Sequence, residues 1–174
     1  MYETIRIVKK LMPQYVLWEN VANLIKGKHK YNYNKYLESL ETMGYRNYSK
    51  VLDAKDYGIP QQRNRVFTLS IRKDIDDLQF KFPPKQTLTK SFRDYLQEDY
   101  DPEQVVLNEK ELELINKYNK KGDTRPGELY DGIRTYHPPI LAGLNKVSGR
   151  GLVFKCKEGY RKITPLEAWR LMRF

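Results

Sequence analysis

Five polar side chains in two short segments could do chemistry together. Glu19 and Asn20 follow the apolar run Tyr15-Val16-Leu17-Trp18, and Gln61, Arg63 and Arg65 alternate along Gln61-Gln62-Arg63-Asn64-Arg65. Open α/β sheets place ligands outside the carboxyl ends of their strands, so a carboxylate there can act as an acid or a hydrogen-bond partner for a substrate. A lone Glu after a strand is ordinarily a solvated loop residue. Two guanidiniums and an amide at every second position of a strand share one face, where they suit phosphates and base edges. Such a face is ordinarily just solvated.

The elements that must hold these groups are readable from periodicity. Ile5, Val8, Leu11 and Met12 fall at helical spacing, and Pro13 disfavours helical geometry at the residue before it. Tyr15 to Trp18 has the pattern of a short strand buried on both faces, as in a parallel sheet. Tyr33, Tyr36, Leu37, Leu40 and Met43 form the stripe of a second helix that stops at Gly44. Strands follow around Tyr45–Leu52 and Val66–Ile71, the latter alternating cleanly. This order is an α/β signature over residues 1–75, and an incomplete one, because the half-sheet would expose long edges. Leu107–Tyr118 reads as an amphipathic helix capped by Asn108 and Glu111. Residues 85–106 read as irregular, and 119–160 as a loop-rich module. Thr164-Pro165-Leu166-Glu167 opens a final helix with Thr as N-cap, Pro at N1 and a capping box. Ala168, Trp169, Leu171 and Met172 are its expected apolar side.

Glu19-Asn20-Val21, the Gln61/Arg63/Arg65 segment 42 positions after Glu19, and the stretch from Arg161 to Met172 together resemble the DNA cytosine-C5 methyltransferases. Either of the first two motifs alone is weak, whereas both in order at that separation are specific. Arg173 departs from the family pattern, which has Gly before an aromatic residue at that point. The resemblance implies a partial Rossmann-like methyltransferase sheet, lacking its N-terminal half, plus a small target recognition domain. The expected domains are 1–84 (part of the catalytic α/β domain), 85–160 (target recognition) and 161–174 (a helix returning to the catalytic domain).

It also implies a mechanism. The enzyme flips a cytosine out of double-stranded DNA. A cysteine thiolate adds to C6, and C5 takes the methyl of S-adenosylmethionine. Glu19 would hydrogen-bond or protonate ring N3, and Asn20 would hold the loop. Arg65 would bond the flipped base or its flanking phosphate, with Arg63 and Gln61 in support. Lys120, Lys121, Arg125, Arg134, Lys146 and Arg150 are expected at DNA phosphates, and Ser148-Gly149-Arg150-Gly151 could bring backbone close to DNA.

The sequence holds no Pro-Cys nucleophile loop and no glycine-rich cofactor loop. Its one cysteine, Cys156, follows Lys155 and lies far from Glu19 along the chain. The expectation is therefore a truncated or split enzyme of a restriction-modification kind, inactive alone. An N-terminal methyltransferase polypeptide would supply the missing half, and the chain alone would not bind S-adenosylmethionine.

Composition agrees with a nucleic-acid partner. The net charge is +10, and residues 117–174 hold 13 Lys/Arg against 5 Asp/Glu while residues 1–116 hold 19 against 17. A one-sided basic surplus points to a polyanion. One cysteine and two histidines exclude a disulfide framework and argue against a zinc site. No apolar run spans a bilayer and no signal peptide is visible, so a reducing cytoplasm is expected. Two other readings remain open. One is a non-catalytic DNA-binding protein derived from such an enzyme. The other is a basic RNA- or ssDNA-binding protein that uses Tyr31, Tyr33 and Tyr36 for stacking.

Overall fold

A computed structural model describes residues 1–120, 129–130, 135–140 and 153–172. The chain divides into two compact units, Met1–Asp53 with Asn64–Lys85 and Ala54–Arg63 with Gln86–Phe174.

The first unit is built on helix α1 (Tyr2–Leu11), strand β1 (Tyr15–Val21), helix α2 (Lys30–Thr42) and strands β2 (Tyr45–Asp53) and β3 (Asn64–Arg72). Its sheet has the order β1-β3-β2, and β3 runs antiparallel to both neighbours. The local signals of the helices act as expected. α1 ends at Met12 in a left-handed conformation, with φ of 43°, just before Pro13. Gly44, with φ of 89°, turns the chain out of α2 into β2, a backbone state that favours glycine.

Tyr36 and Leu40 from α2 pack with Val8, Val16 and Tyr45, and Trp18 joins them with its ring 5.0 Å from that of Tyr36. Beside them the hydroxyls of Tyr33, Ser49 and Thr68 close a triangle of 2.7, 2.8 and 3.0 Å and satisfy one another, whereas the buried Tyr36 hydroxyl has no hydrogen-bond partner among the described residues. Tyr33 and Tyr36 are thus core residues, and of the three tyrosines considered for base stacking only Tyr31 is exposed.

The opposite face of the sheet is covered only in part. The chain after β3 lays Phe80 against Tyr48, with ring centroids 5.2 Å apart, and Asp76 accepts from Arg46 at 2.7 Å. At β1 this face is open: Tyr15 is 56% exposed, Leu17 70% and Val21 49%. Two expectations are corrected here. β1 is not buried on both faces, and it lies antiparallel to its neighbour rather than within a parallel pair. Its apolar composition suits a two-sided core, but the described residues supply cover on one side only.

The second unit contains α3 (Pro102–Val105), α4 (Glu109–Lys120), β4 (Leu129–Tyr130), β5 (Val153–Cys156), β6 (Gly159–Lys162) and α5 (Pro165–Leu171). β5 and β6 form a hairpin, and β4 adds to β5 in parallel. The irregular stretch 85–106 in fact includes α3 and a single turn at Phe92–Tyr95. Phe92, Phe154, Ile163, Ala168 and Leu171 form one apolar cluster, and Leu107, Ile115 and Val153 a second.

Both predicted capping boxes are present. Asn108 Oδ1 accepts from the Glu111 N–H at 3.0 Å, and Thr164 Oγ1 from the Glu167 N–H at 3.1 Å. The apolar side of α5 is narrower than expected. Ala168 and Leu171, three apart, are buried, while Trp169 is 55% and Met172 39% exposed. A two-turn helix presents one narrow stripe to its neighbours.

The capping carboxylate Glu167 also does something the motif does not show. It is fully buried and takes two bonds from Arg161, at 2.7 and 2.9 Å, plus one from the Gln97 N–H at 2.7 Å. The Arg161 guanidinium lies 4.2 Å above the Tyr100 ring. Every lone pair and donor of this ion pair that matters is met inside the unit, the condition under which a buried pair is tolerated.

Candidate functional site

Glu19 sits two residues before the end of β1, on the open face of the sheet together with Tyr15, Leu17 and Val21. Val21 is the register partner of Arg65 and Glu19 that of Phe67. A diagonal neighbour across an antiparallel pair lies within reach of a long side chain. Arg65 uses that reach: its Nε meets Glu19 Oε1 at 2.9 Å, with 22% of the arginine side chain and 46% of the glutamate side chain exposed. The Glu-Asn-Val and Gln-x-Arg-x-Arg segments therefore converge through this pair. A second guanidinium nitrogen of Arg65 donates to the Asn64 carbonyl, which further limits its swing. Asn20 points to the other side, and its Oδ1 accepts from the Val21 N–H at 2.8 Å, holding the end of β1.

Gln61 and Arg63 do not share a strand face with Arg65. β3 begins at Asn64, so the alternation expected over 61–65 is broken before it starts. Gln61 is 6% exposed and belongs to the second unit, where the Gln61 N–H donates to the Ile59 carbonyl at 2.7 Å. The turn at Gly58 and Pro60, with φ of 78° at Gly58, lies where the sequence signals one, but the strand after it begins three residues later than Gln61. Arg63 is partly buried, and its carbonyl accepts from the Ala54 N–H at 3.2 Å.

Sequence reasoning missed His137. It is fully buried, and its main chain bonds the residues on either side of Gln61. The only signal would have been an isolated histidine before Pro138-Pro139. Of the expected phosphate contacts, Lys120 closes α4, while Lys121, Arg125, Arg134, Lys146 and Arg150 lie outside the described residues, as do the Lys120 side chain and Ser148-Gly149-Arg150-Gly151. Two cations in the basic C-terminal third are neutralised internally, Arg161 by Glu167 and Lys162 by Glu111 at 3.0 Å.

No group of acidic, His or Cys side chains among the described residues could hold a metal ion. No described helix is long and apolar enough to cross a membrane.

The whole chain, residues 1–174, matches the model of the family described as C-5 cytosine-specific DNA methylase. The chain belongs to this family. It is 34% identical over 177 residues to the Type II methyltransferase M2.ScrFI of Lactococcus lactis subsp. cremoris, covering 99% of this chain and 47% of that protein. To the Type II methyltransferase M.HhaI of Haemophilus parahaemolyticus it is 28% identical over 185 residues, covering 99% and 56%. The chain thus spans about half the length of the methylases it matches.

Among solved structures, the Dnmt2 methyltransferase of S. pombe superposes with a TM-score of 0.72 at 19% identity, covering 99% of this chain and 60% of the other. A DNMT2 mutant of Spodoptera frugiperda gives 0.75 at 16% identity, with the same coverage. At those identities the likeness establishes the fold, part of a Rossmann-like methyltransferase architecture. In the methylase family the Glu19 and Arg65 segments are the motifs that carried the resemblance, and they meet in one ion pair.

Proposed function

We propose that this chain is one part of a DNA (cytosine-5-)-methyltransferase, truncated or split, that methylates cytosine in double-stranded DNA only when a partner polypeptide completes it. The observation that carries this reading is the Glu19–Arg65 pair of 2.9 Å at the rim of the open sheet face. In the complete enzyme the methyl group comes from S-adenosylmethionine, held by the partner's residues rather than these.

The tasks assigned to this chain are positional and electrostatic. Glu19 hydrogen-bonds or protonates N3 of an extruded cytosine, offsetting the negative charge that develops when the partner's thiolate adds at C6. Arg65 orients the Glu19 carboxylate before the base arrives and then bonds the base or its flanking phosphate. Arg63 and Gln61 support this from the turn before β3, and the basic residues after α4 take the phosphates. Cys156, in β5 of the second unit, is not the nucleophile.

Support for a partner comes from β1. No described strand pairs with its second edge, and Tyr15, Leu17 and Val21 expose apolar surface beside that edge. Proteins that leave such an edge and face uncovered aggregate. An N-terminal methyltransferase piece, the half of the relatives that this chain does not span, would cover both.

The test is a tritiated-methyl transfer assay on cytosine-containing duplex, run with this chain alone and with such a piece added. Transfer only in the mixture, lost on Glu19→Ala, is the expected result. Transfer by the chain alone would refute the missing nucleophile. Duplex binding with no transfer under any pairing would favour a DNA-binding protein derived from the family.

A further inference from the structure

Thr135, Tyr136 and His137 form a short clamp in the second unit. The His137 N–H donates to the Pro60 carbonyl at 2.9 Å, and the His137 carbonyl accepts from the Gln62 N–H at 2.8 Å. One residue therefore brackets Gln61 from both sides, in a parallel bridge. Two positions earlier, the Thr135 carbonyl accepts from the Phe92 N–H at 3.0 Å, and Phe92 is fully buried among Phe154, Ile163, Ala168 and Leu171. The clamp thereby ties the turn carrying Gln61 and Arg63 to a buried apolar cluster of its own unit.

The imidazole makes this more than backbone packing. Its Nδ1 bonds the carbonyl of Pro138, and with Nδ1 as donor Nε2 presents a lone pair. That Nε2 is buried and has no hydrogen-bond partner among the described residues. A buried acceptor left unpaired costs on the order of 1–3 kcal/mol, and native interiors exclude most such groups. A phenyl ring would fill similar space without that cost, so core packing alone does not account for a histidine here. The Nδ1 bond does account for it. It fastens the side chain to the main chain immediately after the clamp, and so sets the angle at which His137 meets Pro60 and Gln62. Burial keeps the ring neutral, with a pKa pulled down to about 4.

We propose that His137 is a positioning residue that holds the Gln61–Arg63 turn in the geometry in which it meets duplex DNA. The inference rests on the methyltransferase reading above for what the turn does, but the clamp itself can be tested separately.

The experiment uses the full chain and two readouts, hydrogen exchange at the Gln62 amide and binding of a cytosine-containing duplex by fluorescence anisotropy at fixed salt. In His137→Phe the thermal midpoint should hold or rise, because the orphaned nitrogen is gone. The Gln62 amide should nonetheless exchange about tenfold faster, and the duplex Kd should rise about tenfold, the scale of one good directed contact. His137→Asn, whose amide can still donate to the Pro138 carbonyl, should restore both. His137→Gln, which places its amide near the Nε2 position, should behave like Phe and serves as the loss variant if Phe does not fold. Adding Arg63→Ala to His137→Phe should cause little further loss of affinity.

A lowered thermal midpoint with Gln62 exchange and affinity unchanged would overturn the proposal, since His137 would then be a packing residue. Failure of the wild-type chain to bind duplex, with the exchange effect intact, would remove the DNA reading of the turn while supporting the clamp.

Discussion

Glu19 and Arg65, carried by adjacent antiparallel strands, close a 2.9 Å ion pair on a sheet face where Leu17 and Val21 are exposed. An ion pair this open to solvent contributes at most about 1 kcal/mol to stability. Its contribution to stability is therefore small, and the proposed role toward the base is what the variants below test. The consequences can be separated by variants that touch different parts of the unit.

Glu19→Gln removes the charge and keeps the shape. Stability should change by less than about 1 kcal/mol, measured by urea unfolding. In the reconstituted enzyme, methyl transfer should fall by about 10²–10⁴-fold, the range of a positioned acid, with duplex affinity nearly unchanged. Equal losses in binding and turnover would assign Glu19 to DNA docking instead.

Leu17→Asp places a charge on the open face of β1, two residues before Glu19. Leu17 is 70% exposed, so the chain's own unfolding free energy should move by no more than about 0.5 kcal/mol. Co-purification with an N-terminal methyltransferase piece should be lost. Retained complex would show that the partner, if any, binds elsewhere.

Arg161 and Glu167 form the opposite kind of pair, with no water to rescue a lone charge. Arg161→Met or Glu167→Gln should each cost about 3–5 kcal/mol, because each strands the other partner. The double variant Arg161→Met with Glu167→Leu should recover much of that loss. Additive losses in the double variant would contradict a pairing account.

Acid should destabilise the second unit in two stages. His137 has an ordinary value of 6.5 and is pulled down to about 4 by burial, despite the Pro138 carbonyl. The unfolded chain therefore binds more protons than the folded one between those values, and stability falls as pH drops from about 6.5 to 4, by roughly 3 kcal/mol in all. For Glu167, burial pushes its carboxyl up, but the Arg161 bonds and the Gln97 and Thr164 amides outweigh it and hold it below the usual range. Its contribution is present above that range and is lost at still lower pH. His137→Phe should flatten the first stage only, read from urea midpoints across pH; an unchanged slope would show that the imidazole titrates normally.

What could be read along the chain was local or motif-like. The capping boxes at Asn108 and Thr164, the stop at Gly44 and the stripe of α2 depend on side chains within a few residues of the backbone they satisfy, so their physics is complete in a short window. Membership of the methylase family was equally readable, because its motifs keep residue type and order. Three relationships were decided only by folding. The antiparallel course of β3 put Arg65 diagonal to Glu19, a matter of strand register. The bend through Gly58 and Pro60 took Gln61 out of the strand and under His137, 76 positions later. Arg161 and Glu167, six residues apart, became a sealed pair because β6, α5 and the Gln97 backbone close around them. Each depends on the entropy and packing of distant segments brought together, which no run of neighbouring residues encodes.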